Sequence, residues 1–411
     1  MSLTLTVHRG TQQIGGSCIE IVHPDGDRII LDAGRPLDAL EGATGLLPES
    51  LDRGGTATVL ISHSHQDHWG LLNEIPETWP VWTGSQSAKL IGIVGELMQR
   101  PRRSDLHTWT SRSGTFKVGP FDITPILTDH SAYDAYMLLL EGAGKRILYT
   151  GDFRKHGRKS SLVDRLIADP PRAIDALIIE GTNLGTDKPV KSEQSLEDEF
   201  VELFHRTQGR AFVEWSGQNI DRTVTLYRAA QRSGRTLAID LYTADVLDRI
   251  SEGTGIPRAG FPNLEVVITR GLRNSYARQG REEFVSRMAK NGISARELES
   301  SRHVIMLRKG LLRDYVRAGV TPTARDAFNY SMWRGYLAGS KNCEAYEWCR
   351  AAEAEITYLH TSGHASAADL QTFAAAVNPT IVIPVHGANW DTEGHAFNRL
   401  HRLKDGERIL I

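Results

Sequence analysis

Cysteine is scarce in this chain: Cys18, Cys343 and Cys349 are the only three among 411 residues. They form no CxxC pair and are odd in number, which argues against a disulfide framework or a thiolate zinc site. Any metal must therefore be held by histidine and carboxylate. Long apolar runs are lacking too. No stretch approaches the roughly 20 residues needed to span a bilayer, so no membrane partner is expected. The opening Met1-Ser2-Leu3-Thr4-Leu5-Thr6 has no basic region followed by an apolar block, so the expectation is no signal peptide and a cytoplasmic location. Charge of one sign is also missing overall. With 48 Lys and Arg against 50 Asp and Glu, the net charge of −2 gives no global pull toward nucleic acid.

What is present has an ordinary globular balance, 40% apolar and 24% charged. At 411 residues the chain exceeds what one core usually holds, which predicts two domains or one domain with a large insertion. The charge is uneven: Val266 to Ser340 holds 14 Lys and Arg against 6 Asp and Glu, a local excess of 8. A solvated basic face and a polyanion-binding surface both fit that excess. Up to about Ile179, short strands alternate with turns, and several strands end in a ligand-type residue. Arg28 to Leu31 runs into Asp32, Phe121 to Leu127 precedes His130, Arg146 to Thr150 runs into Asp152, and Ala176 to Ile179 closes on Glu180. Ser85 to Arg100 reads as an amphipathic helix stopped by Pro101. After Lys188-Pro189, strands such as Ala211 to Glu214 and Thr236 to Ile239 alternate with helices, which predicts a second α/β unit. The last segment returns to strands with polar ends, Ile356 to Leu359 and Thr380 to Val385, the latter followed by His386.

One stretch concentrates the chemistry. The apolar run Thr58-Val59-Leu60-Ile61 reads as a buried strand, and His63-Ser64-His65-Gln66-Asp67-His68 follows it. A lone strand-end histidine is more often a hydrogen-bonded structural residue than a ligand. Three imidazoles and an acid clustered in one turn have little structural purpose and point to metal. The loop is too tight to aim all four side chains at one ion, but it can serve two ions side by side, each completed from His130, Asp152 and His386. Two divalent metals roughly 3.5–4 Å apart would activate a nucleophilic water and stabilise charge on a phosphoryl or carbonyl oxygen.

The loop, with Trp69-Gly70 after it, resembles the signature of the metallo-β-lactamase superfamily. The ordered series Asp32, His63-His65-Asp67-His68, His130 and Asp152 is similar to that superfamily's motifs one to four. Three further features resemble the β-CASP nuclease branch, which includes ribonuclease J and the pre-mRNA cleavage endonucleases. Glu180 in Ile179-Glu180-Gly181-Thr182-Asn183 is similar to motif A, His364 in Ser362-Gly363-His364-Ala365-Ser366 to motif B, and His386 in Pro384-Val385-His386-Gly387 to motif C. The resemblance implies that His63, His65 and His130 hold one metal, Asp67, His68 and His386 the other, and that Asp152 bridges. It implies that Asp32 hydrogen-bonds a ligand histidine, that His364 protonates the leaving oxygen, and that Glu180 keeps this imidazole charged. Ser362, Gly363 and Ser366 would contact a substrate phosphate, with Ser366 as a plain helix N-cap the competing reading.

The fold so implied is α/β: an αββα metallo-β-lactamase sandwich from residues 1–190 and 350–411, with a β-CASP domain inserted at 191–349. The function so implied is a dinuclear zinc ribonuclease acting on single-stranded RNA, with manganese as the alternative metal and homodimerisation left open. Histidine at motif C resembles the RNA-processing members, whereas the DNA-repair members tend to carry valine. A DNA nuclease of the same fold, or a hydrolase of small esters or lactams, is the competing reading.

Overall fold

A computed structural model describes residues 2–97, 103, 105–186, 190–299, 301–338 and 343–411. The chain forms two compact units. The first comprises residues 2–95 and 190 together with the described residues between 103 and 186, and Gly363–Ile411; the second comprises residues 96–97 and the described residues of Lys191–Ser362.

The first unit begins with β1 (Thr4–Arg9), β2 (Cys18–Val22), β3 (Arg28–Leu31), β4 (Thr58–Ile61), β5 (Val81–Gly84) and β6 (Leu106–Trp109). Next come β7 (Phe116–Val118), β8 (Phe121–Leu127), β9 (Tyr136–Gly142), β10 (Lys145–Tyr149) and β11 (Ala176–Ile179). The second unit carries β12 (Ala211–Glu214), β13 (Leu237–Asp240), β14 (Leu264–Val267), β15 (Gly292–Ile293), β16 (Val304–Met306), β17 (Ala327–Tyr330) and β18 (Glu355–Thr357). The chain then returns for β19 (Ile381–Pro384) and β20 (Arg408–Leu410).

Two sheets of the first unit, ordered β20-β1-β2-β3-β4-β5-β6 and β19-β11-β10-β9-β8-β7, share one apolar core. The alternation of side chains along each strand explains why these strands read as continuous apolar runs. Ile29, Leu31 and Leu60 enter the core shared with the second sheet, where they meet Leu138, Ile147 and Ile178. Ile30, Val59 and Ile61 take the other face and pack with Leu71, Trp79 and Ile91. On the outer side of the second sheet, Leu139, Leu177 and Val382 pack with Val163, Leu370 and Phe373 from the helices Ser160–Ala168 and Ala367–Val377. The result is the αββα sandwich. The helix beginning at Ser85 is described to Leu97; its expected end at Arg100-Pro101, like the composition shift at Lys188-Pro189, lies outside the described residues.

The second unit is a parallel sheet in the order β15-β14-β13-β16-β12-β17-β18. Helix starts are capped as their sequences suggest: Asn219 accepts from Arg222 N and Asp240 from Thr243 N. The chain leaves β12 through the helix Ile220–Arg232 toward β13, and leaves β16 through the helix Lys309–Arg317 past β12 to β17. The direction of winding therefore reverses between the neighbours β12 and β16.

The return to the first unit falls at Gly363 rather than 350, because β18 adds to the edge of β17, pairing Asn329 with Thr357. The basic excess between Val266 and Ser340 is partly neutralised from outside that window: Arg281 pairs with Asp245, Arg287 with Asp248, and Arg308 with Asp240.

Candidate metal centre

The polar strand ends of both sheets meet at one edge of the sandwich. Asp32 closes β3, His63 to His68 follow β4, His130 follows β8, Asp152 follows β10, Glu180 follows β11 and His386 follows β19. Gly363 and His364 lie just before the helix Ala367–Val377. Hydrogen bonds between main chains lace the histidine loop to the segment after β3: Ala33 N donates to His68 O at 2.7 Å, Arg35 N to Gln66 O at 3.0 Å, and Ser17 N to Asp67 O at 3.1 Å.

Potential ligand atoms fall into overlapping groups whose members lie within 4.8 Å of one another: His63, His65 and His130; Asp67, His68, Asp152 and His386; and Asp152, Glu180, His364 and His386. Asp152 is the hub. Its Oδ2 lies 3.0 Å from His68 Nε2 and 3.7 Å from each of His63 Nε2, His386 Nε2 and His364 Nδ1.

Hydrogen bonds set the ring orientations. His68 Nδ1 donates to Asp32 Oδ2 at 2.7 Å, and His130 Nδ1 donates to the Gly363 carbonyl. In their neutral forms both rings therefore turn the Nε2 lone pair into the site. His130 Nε2 faces His65 Nδ1 at 3.2 Å, and His68 Nε2 faces His386 Nε2 at 3.3 Å. His63 Nε2 and both carboxylate oxygens of Asp152 are buried without a hydrogen bond, where interiors normally supply one. Convergent lone pairs and unbonded carboxylate oxygens, with no thiolate among them, fit divalent cations. Cys18 is no ligand; burial pushes its thiol up to about 12.

The charge pattern agrees. Burial, with His68 and His130 close by, holds His63 well below the usual imidazole range, and burial takes His65 down to about 4. Burial opposes charge on His68 as well, but Asp152, Asp32 and Asp67 outweigh it and hold this ring well above the ordinary value. A cation would compete with a proton for the His68 Nε2 lone pair.

Comparison with known proteins matches this geometry. The family model described as Beta-lactamase superfamily domain matches residues 27–226, and the one described as Zn-dependent metallo-hydrolase RNA specificity domain matches residues 352–399. Ribonuclease J of Sinorhizobium meliloti is 21% identical over 93% of this chain and 69% of its own length. Ribonuclease J of Mycoplasma genitalium is 22% identical over 92% and 66%. The chain thus spans about two thirds of the length of these relatives. An RNase J-like protein of Methanocaldococcus jannaschii is 29% identical over 58% of each chain. The two family matches and the ribonuclease J relatives support the metallo-β-lactamase superfamily, in its β-CASP branch. A crystal structure of an Enterococcus faecalis protein of unknown function shares the fold, with a TM-score of 0.78 at 18% identity and full coverage of both chains.

The other predicted residues are placed as follows. Asp32 is fully buried at φ +62° and accepts from Ser62 N, Ser62 Oγ, His68 Nδ1 and Tyr149 OH at 2.6–2.8 Å. Glu180 is fully buried, accepting from Phe153 N at 2.8 Å and lying 2.8 Å from His364 Nδ1. Burial opposes charge on His364, but Glu180 and then Asp152 push it up to about 9. Ser366 caps the helix, accepting from Asp369 N at 3.1 Å and donating to the Asp369 carboxylate at 2.7 Å. Gly363 has no room for a side chain: a Cβ would lie 2.3 Å from Ser131 Oγ. Ser362 is the last residue of the second unit.

Sequence reasoning missed three supporting residues: Tyr149, which holds Asp32; Thr182, whose Oγ1 is 2.9 Å from His386 Nδ1; and Gly34. A Cβ on Gly34 would sit 1.8 Å from the Asp67 carbonyl oxygen and 2.6 Å from Ser17 N, both main-chain atoms. Gly34→Ala must therefore displace the loop that carries Asp67. The expected result is a loss of about 1–3 kcal/mol in stability from overpacking, read by denaturant melts, together with weaker metal retention read by elemental analysis.

Proposed function

We propose that this protein is a metal-dependent ribonuclease with a dinuclear site, zinc or manganese being held by the ligands assigned above. The observation that carries the proposal is Asp152 Oδ2, within 3.7 Å of His63, His68 and His386, between two groups of ligands. His63, His65 and His130 would hold one ion, Asp67, His68 and His386 the other, with Asp152 close to both groups. When bound, the pair supplies an activated water and stabilises charge developing on the phosphoryl oxygens.

The chain's own residues supply the rest. His364 donates a proton to the leaving 3′-oxygen, and Glu180, buried against its Nδ1, orients the ring and keeps it charged. Asp32 and the Gly363 carbonyl fix the tautomers of His68 and His130. RNA is favoured as substrate because residues 352–399 match an RNA specificity domain and the relatives are ribonucleases by name. Residues 191–362 form the β-CASP part in this reading.

Matched single-stranded RNA and DNA oligonucleotides, labelled at either end, test it. RNA is expected to be cut and DNA spared, with chelator abolishing the cleavage. Equal cleavage of DNA would make the protein a general nuclease, and full activity after stripping the metal would overturn the assignment.

A further inference from the structure

The second unit contains a cavity of about 240 Å³ lined by Glu214, Lys309, Tyr330, Met332 and Tyr336. Its position follows from the topology. Glu214 ends β12 and Tyr330 ends β17, and the two residues are directly paired in the sheet. Lys309 opens the helix after β16, the neighbour of β12 on the other side. The cavity thus sits at the carboxyl ends of the strands, where the winding reverses, the edge at which open parallel sheets bind ligands.

Its floor is polar and unsatisfied. Glu214 is 5% exposed and Tyr330 2% exposed, yet Glu214 Oε2 and the Tyr330 hydroxyl make no hydrogen bond. Burying two such atoms is costly unless a partner arrives. Burial pushes Glu214 up to about 8, against the pull of Arg308. The walls are flat and soft, Tyr330, Tyr336 and Met332, and Trp333 packs edge-on against Tyr336 with ring centres 5.3 Å apart. The mouth is positive: Lys309 is exposed there, shared with Glu344 at 3.0 Å, at the start of a helix whose first residues carry no side-chain cap.

A carboxyl at the floor selects a hydrogen-bonding edge with a donor, aromatic walls select a planar ring, and a cationic mouth selects an anionic tail. The volume is below the roughly 300–1,000 Å³ of pockets for drug-sized ligands, so it suits one ring system. We propose that this cavity binds one nucleotide, with an amino-bearing base (guanine, adenine or cytosine) hydrogen-bonded to Glu214 and Tyr330, its ring against the tyrosines and its phosphate toward Lys309. Uracil has no exocyclic amine, and its one ring N–H is flanked by two carbonyls that face the carboxyl oxygens, so it is the base bound most weakly. The pocket chemistry stands by itself; that the nucleotide is part of an RNA strand rests on the ribonuclease reading.

The test titrates CMP and UMP calorimetrically into the full-length protein and into Glu214→Leu and Tyr330→Phe variants, and compares cleavage of cytidine and uridine oligoribonucleotides. A free-nucleotide site gives CMP roughly tenfold tighter than UMP, a preference lost in Glu214→Leu while oligonucleotide cleavage is unchanged. A site for the strand gives instead a lower KM for the cytidine oligomer, equalised in Glu214→Leu at constant kcat. Leucine removes an unsatisfied acid, so the melting temperature should hold or rise, which separates lost binding from unfolding; Tyr330→Phe should weaken the preference. Equal treatment of cytosine and uracil in both assays, or a preference that survives Glu214→Leu, overturns the proposal. If no RNA is cleaved at all, the ribonuclease reading fails and the calorimetry alone decides the pocket.

Discussion

Asp152→Asn should lose most of its bound metal, falling well below about two ions per chain, and should lose activity by more than the roughly 10–100-fold expected when only an outer hydrogen-bond partner of a ligand is removed. The carboxylate is buried beside imidazoles from both groups of ligands, with neither oxygen in a hydrogen bond. An amide in its place offers one neutral oxygen and an N–H₂ group that donates to the surrounding Nε2 lone pairs and so occupies what a cation needs. Asp32→Asn is the control: Asp32 bonds His68 from behind and lies outside the ligand groups, so its loss belongs in the 10–100-fold class. Elemental analysis beside a cleavage assay reads both effects. An Asp152→Asn protein with full metal and full rate would falsify the dinuclear reading.

His364→Ala should retain its metal while kcat falls by about 10²–10⁴, the range for a lost general acid. A phosphodiester with a p-nitrophenolate leaving group needs no proton on departure and should be nearly insensitive to the substitution. Glu180→Gln acts through His364, so its readout is the pH profile. Glu180, then Asp152 and Asp67, raise the imidazole to about 9 against burial; in the proposed reading activity needs its protonated form, which is present below that value and lost above it. Cations at the site would offset the charges of Asp152 and Asp67, so the alkaline limb of the loaded protein is expected below 9. Removing Glu180's charge moves that limb to still lower pH. A limb that stays in place would show that Glu180 only supports the fold.

The strand ends were legible because a strand buried on both faces reads as a short apolar run, and whatever polar residue follows it stands out. That is how Asp32, His130, Asp152, Glu180 and His386 were picked from sequence. Tyr149 was not, since a tyrosine inside an apolar strand reads as core, and its partner Asp32 lies 117 positions away. Gly34 gave no signal either: its need to be glycine comes from the main chain of Asp67, brought near only by the fold. The boundary at Gly363 was hidden because β18 has three residues and looks like the start of the returning sheet. The basic excess misled for a related reason: counting along a window misses acids such as Asp240 and Asp245, which fold back onto it.

The chain order of the site has a consequence during synthesis. His63, His65, His130 and Asp152 are made early, while the Gly363 carbonyl, His364 and His386 come only after the whole second unit. In the proposed reading, a nascent chain halted at Ser362 would have the ligands of one ion without the carbonyl that orients His130, would lack His386 for the other, and would have no proton donor. Such a ribonuclease would stay disarmed beside the message that encodes it until the segment carrying β19 emerges and pairs with β11.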